Sequence, residues 1–157
     1  MRRKPLIVGI MPGRYDLRIE LADTPLRGPC ELRLARLAGM SVDALWDACE
    51  RVNLVRQYDI LLDSFHSLRV TAARRGARRL AAERVFADRL LVLCGRDVAD
   101  AMGLYDMKYL AHCDAGGDDP AWKADAMLIP HPSGRCFWWN DKANVEAASK
   151  ALREAML

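Results

Sequence analysis

The sequence has no C-x-x-C pair, which excludes the usual zinc ribbons and iron–sulfur sites. Its five cysteines, Cys30, Cys49, Cys94, Cys113 and Cys136, are odd in number and widely spaced. They read as reduced thiols of a cytoplasmic protein, and no metal site is expected. No apolar run approaches the roughly 18–20 residues of a membrane span. The opening "MRRKPLIVGIMPG" has the basic start and apolar run of a signal peptide. That run breaks at Pro12-Gly13 and no small-residue cleavage site follows, so a buried strand is expected instead. Strong charge of one sign is also missing, and a net +3 does not announce a polyanionic partner. Neither G-x-G-x-x-G nor G-x-x-x-x-G-K-[ST] occurs, which removes the two common phosphate-cradling loops. There is no internal repeat, and the 157 residues suit a single domain over 1–157 with a sizeable core.

Four short apolar runs are present: "PLIVGI" (5–10), "ERVNLV" (50–55), "RLLVLC" (89–94) and "AMLIP" (126–130). They lack polar alternation, the pattern of strands buried on both faces of a parallel sheet. Helical patterns lie between them. "GPCELRLARLAGMS" places Pro29 at a first turn and Gly39 at a stop. Ser41 can cap "VDALWDAC". "SLRVTAARRGARRLAAERVFA" (67–87) is rich in Ala and Arg, and "GRDVADAMG" starts and stops on Gly. A last helix, capped by Asn140 or Asp141, gathers Ala148, Ala151, Leu152 and Ala155 on one face. "HCDAGGDDPAWKADA" (112–126) reads as a polar surface loop. The expected fold class is α/β: a three-layer α/β/α sandwich around a short, mostly parallel four-stranded sheet.

Open α/β sheets bind ligands beyond the carboxyl ends of their strands. That rule selects "GIMPGRYD", "NLVRQYD", "CGRD" and "PHPSGR" before any motif is considered. Gly9 and Gly13 let backbone approach a ligand, and Pro12 stiffens the turn. Asn53 sits within an apolar run, where an unpaired amide costs roughly 1–3 kcal/mol. It has two readings: an amide bonded to loop backbone, or a donor–acceptor pair matching a nucleobase edge. His131, between Pro130 and Pro132, is held extended and can donate to an oxygen gaining charge. His66 and His112 lack such a setting and are not expected to act. Arg69, Arg74, Arg75, Arg78, Arg79 and Arg84 give one broad basic face, either solvated or facing phosphates. Phe137, Trp138 and Trp139 are core anchors or groups that stack on or wedge beside a base.

In this order and spacing the stretches resemble the uracil-DNA glycosylase superfamily. "VGIMPG" looks like the first family motif, a strand entering a G-x-x-P-G turn. "ADTPLRGPCELRLARLAGMS" is similar to the Gly-rich loop and helix that follow it, and "RVNLV" to the strand whose Asn reads the base. "LLVLCGRDVADAMGL" looks like the unit before the last strand, and "IPHPSGR" resembles the His-Pro-Ser motif and its DNA-inserting loop. The match spans roughly residues 5–155. It implies that Asn53 reads a flipped base and His131 stabilises charge on the leaving base. Ser133 and Gly134 would approach the DNA backbone, and Arg135 with the residues after it would fill the gap in the stack. Ile10, Met11 and Gly13 would line the base pocket. Separately, on the basic helix face, Arg75 and Arg79 are the expected phosphate contacts.

The resemblance is incomplete in three respects. Members that hydrolyse uracil well usually carry Asp, Asn or Glu at one of the two positions after the first Gly; here these are Ile10 and Met11. Asp16 is the substitute carboxylate the sequence offers. The base-stacking aromatic is replaced by Leu26, with Tyr15 the alternative. The cluster-binding cysteines of thermophilic branches are absent, so a cofactor-free enzyme is implied. The resemblance itself implies a monomer of base-excision repair acting on single- or double-stranded DNA. Two other readings stay open: a binder that keeps the pocket without hydrolysis, and a nucleobase transferase working on free nucleosides.

Overall fold

Burial on both faces drives the centre of the sheet. β1 (Leu6–Gly9) is buried at every position, and so is all of β3 (Leu90–Cys94) after its first residue. Alternate residues of these strands enter two cores. Leu6, Val8, Leu91 and Leu93 meet one set of helices, while Ile7, Val92 and Cys94 meet the other. A computed structural model describes residues 3–12, 25–115, 123–133 and 135–157. It is an α/β arrangement with one five-stranded sheet in the order β2-β1-β3-β5-β4, where β2 is Glu50–Asn53, β4 is His112–Ala115 and β5 is Ala124–Ile129. The four strands expected from the sequence run parallel, and β4 joins antiparallel to β5.

The strand count and the loop at 112–126 are therefore corrected. His112–Ala115 forms an edge strand, and Ala124–Ala126 already belongs to β5. Polar side chains at His112 and Asp114 hid the strand, because at a sheet edge they point to water. The long helix is also shorter than expected. α4 runs His66–Ala82, not 67–87, and Arg84 at φ +55° lies beyond its end. A short helix, α3 (Ile60–Ser64), precedes it, capped by Asp59 through bonds from the Leu61 and Leu62 N–H groups.

Other local signals hold. α1 (Pro29–Ala38) has Pro at its start and left-handed Gly39 at its stop. The Ser41 hydroxyl caps α2 (Val42–Ala48) by accepting from the Ala44 N–H, and Asp141 caps α6 (Lys142–Met156). α5 (Arg96–Ala101) starts after Gly95. One core joins α4 and α5 to the sheet; the other joins α1, α2 and α6. Gly76, in the middle of α4, allows the closest approach. A methyl group there would overlap the Leu54 carbonyl, so only a glycine lets α4 press on the chain leaving β2. Among the described residues, no helix is long and apolar enough to cross a membrane.

Candidate functional site

β1 and β2 are in register, with Gly9 opposite Asn53. The pairing continues past the strands, since Leu54 and Val55 donate their N–H groups to the Gly9 and Ile10 carbonyls at 3.0 and 2.8 Å. This fixes the Asn53 side chain against the bare face of Gly9, where a methyl group would overlap its Oδ1. The same methyl would touch Leu26 at 3.3 Å. Asn53 is 6 % exposed, and its Oδ1 has no hydrogen-bond partner among the described residues. A buried carbonyl without a donor is costly, so it calls for a bond from water or a ligand; the Arg27 and Arg89 Nε atoms share this condition. Leu26 is buried at φ +58°, a left-handed conformation that costs a branched side chain about 1–2 kcal/mol. Gly9, Leu26 and Asn53 thus form one corner, with strain stored in it.

A cavity of about 290 Å³ opens beside Asn53 along the free edge of β2. Pro25, Arg51, Arg56, Arg79 and Glu83 contribute to its walls. Arg51 is held by Glu31 at 3.2 Å and lies over the Trp46 ring at 4.0 Å. Burial alone would raise the Glu31 carboxyl, but bonds from the Gly28 N–H, Trp46 and Arg51 outweigh it and hold the group below its ordinary value. This network ties the start of α1 to β2 beside the Asn53 corner.

His131 leaves β5 at the same end of the sheet. Its carbonyl accepts from Trp139 Nε1 at 2.9 Å, and its Nδ1 accepts from the Ser133 N–H at 3.2 Å. A neutral ring accepting at Nδ1 carries its proton on Nε2. Burial pushes the imidazole below its ordinary value, with the Asp97 carboxylate opposing that shift. The ring is therefore neutral near pH 7 and offers one N–H donor. The Ser133 carbonyl accepts from Arg33 of α1 at 3.3 Å, and Arg33 lies over the Trp139 ring at 5.5 Å. Trp139 is buried, Trp138 packs edge-on to it at 5.0 Å, and Phe137 is 87 % exposed. Two of the three aromatics are anchors; the first projects outward.

Asn53 and His131 stand on strands separated by β1 and β3. Three strand spacings put the two chains roughly 14 Å apart. The turn at the end of β1 lies in that gap, with Ile10 and Met11 half-buried. Gly13, Tyr15 and Asp16 lie outside the described residues, as does Gly134. Arg135 is exposed. On α4, Arg75 and Arg78 are exposed, and Arg79 reaches Glu83 at 3.5 Å. The broad basic face is narrower than expected. Arg69 turns away to bond Asp97 at 2.7 Å, and Arg74 donates to the Tyr105 hydroxyl at 2.9 Å.

Asp97 is the residue that sequence reasoning passed over. It follows Gly95 at the carboxyl end of β3, within "CGRD", one of the four stretches selected by the sheet-edge rule. Its carboxylate takes Arg69 on one oxygen and His66 Nε2, at 3.0 Å, on the other. His66, not expected to act, is thus tied to Asp97. No family model matches this sequence, and no curated protein matches it.

Proposed function

We propose that the protein is a DNA glycosylase-like enzyme that cleaves the N-glycosidic bond of uracil or a damaged or modified base flipped out of DNA. The observation that carries this reading is the buried Asn53 carbonyl, which has no donor among the described residues and is clamped against Gly9 at the carboxyl end of the sheet. An amide presents an acceptor and a donor side by side, the complement of a pyrimidine edge with N–H next to C=O. The base must leave the duplex to reach this corner, because its glycosidic bond is inaccessible within the stack. Helices on both faces of the sheet are taken as a three-layer α/β/α sandwich of that superfamily. DNA is the proposed partner of a monomer in the cytoplasm, with Ser133, Arg135 and exposed Phe137 at the duplex and Arg75 and Arg79 on phosphates.

The mechanism is dissociative. Asn53 holds the base edge. The Nε2–H of neutral His131 donates to the base oxygen that gains charge as the bond to C1′ lengthens, which is worth roughly 10²–10³ in rate for one well-aimed donor. The sugar passes through an oxocarbenium-like state and is captured by water. A second reading is favoured by Ile10 and Met11, which offer no polar atom to a water: a binder that recognises the base without releasing it.

Oligonucleotides carrying uracil, hypoxanthine, thymine mismatches or modified pyrimidines decide between the two. Alkali-labile abasic sites are expected from at least one of them, with losses of about 10²-fold or more in His131→Ala and Asn53→Ala. Intact substrates with persistent DNA binding would establish the binder; unchanged activity in His131→Ala would refute the mechanism.

A further inference from the structure

We propose that Asp97 supplies the carboxylate that the first turn lacks, and that it holds the attacking water at the sugar side of His131. This role rests on the glycosylase reading of the same site.

The placement follows from β3. Gly95 follows that strand, which lies between β1 and β5, and is buried and at φ +102°. A methyl group on Gly95 would sit 3.2 Å from the His131 Cβ, so the β3 end and the His131 side chain are packed together. Asp97 is two residues further, at most about 7.6 Å of chain away. Its negative charge opposes, without overcoming, the lowering that burial imposes on the His131 imidazole.

The carboxylate is held in a fixed orientation. Arg69 Nε bonds one oxygen at 2.7 Å, while the same guanidinium donates to the Leu62 and Asp63 carbonyls at 3.0 and 2.9 Å. The fork therefore cannot rotate away. His66 holds the other oxygen. An ionised carboxylate offers about four lone-pair directions, and these bonds use two. With its side chain 26 % exposed, Asp97 keeps access to water. His66, Asp97 and Asp100 lie close enough together to hold a cation, but the Arg69 guanidinium already neutralises Asp97 and opposes one.

In the reaction, the C1′–N bond breaks and its electron pair leaves with the base, whose oxygen is held by His131 Nε2–H. A water oriented by Asp97 donates an oxygen lone pair to C1′, forming the new C–O bond. Its proton passes through Asp97 to solvent, and the base anion takes a proton from solvent. The sum is hydrolysis, with no oxidant or metal required.

The test compares Asp97→Asn, Asp97→Glu and Asp97→Ala with wild type on whichever base is released. Asp97→Asn is expected to lower kcat about 100-fold with KM little changed. Asp97→Glu, which keeps the ion pairs but moves the carboxylate, should lose about 10-fold, and formate should restore part of the Asp97→Ala rate. By NMR, the His131 titration should move down in Asp97→Asn. Full kcat in Asp97→Asn, or an unmoved His131 titration, overturns this role while leaving the glycosylase reading intact. A wild type that releases no base overturns that reading and this role with it. Should Asp97→Asn fail to fold, the Asp97→Glu rate alone decides.

Discussion

The two ends of the sheet are built from the same strands and differ in what their polar groups do. At the amino end, charges are spent within the chain. Arg89, buried at the start of the β3 run, bonds Glu50 at 2.9 Å; His112 meets Asp125 at 3.0 Å; Lys4 caps the Asp47 carbonyl at 2.6 Å. At the carboxyl end, the buried Asn53 carbonyl has no hydrogen-bond partner among the described residues, and the His131 ring is bonded there through Nδ1. The roomier cavities, about 340 and 440 Å³, nevertheless lie at the amino end, among those paired charges. The 290 Å³ space beside Asn53 is smaller. Unmet bonding capacity exists at both ends, since the buried Arg89 Nε also has no partner among the described residues. What separates the ends is that open α/β sheets place their ligands at the carboxyl one.

The sharpest way to break this contrast is Gly9→Ala. Its methyl displaces Asn53 without touching the amino end, so base release should fall about 100-fold while the fold is retained at a cost of about 1–3 kcal/mol. Abasic-site yield and a denaturant melt read the two quantities separately, and a variant with full activity would dissolve the Asn53 corner as a site. Glu50→Gln is the reciprocal change. It leaves Arg89, 1 % exposed, without its counter-charge, and should cost about 1–3 kcal/mol with the rate unchanged. A large loss of kcat there would erase the division between the ends.

The smallest expected effect is in pH. The His131 folded pKa is depressed by burial, so its contribution is present above the unfolded value of about 6.5 and lost as pH falls through the folded value. Glu50, held below its ordinary value by the Arg89 bond, acts in the same direction at lower pH, below about 4.3. Stability against pH should therefore fall in two windows. His131→Ala should remove the upper one and Glu50→Gln the lower one; a single window common to both variants would contradict the assignment.

Much of the scaffold was legible because its signals are local. Pro29, Gly39, Ser41 and Asp141 act within a turn of their own residue, and the buried strands read as apolar runs. β4 was not legible, since half of it faces water and its pairing partner is a later strand. Asn53 and His131 were marked by an amide in an apolar run and a His between prolines. Asp97 was not, because its bonding partners, His66 and Arg69, stand on a different helix, α4. A carboxylate in "GRD" looks like an ordinary first-turn acid. Gly76 was hidden for the same reason: a mid-helix glycine reads as a weakness of about 1 kcal/mol until the Leu54 carbonyl is placed beside it.

The sheet's two outer strands carry a further implication. β2 and β4 are each four residues long, and each exposes charge or a polar ring: Glu50 on one, His112 and Asp114 on the other. Short, charged rims are poor templates for recruiting another chain's backbone. A concentrated stock should thus resist fibril growth, and crowding should not zip copies together rim to rim.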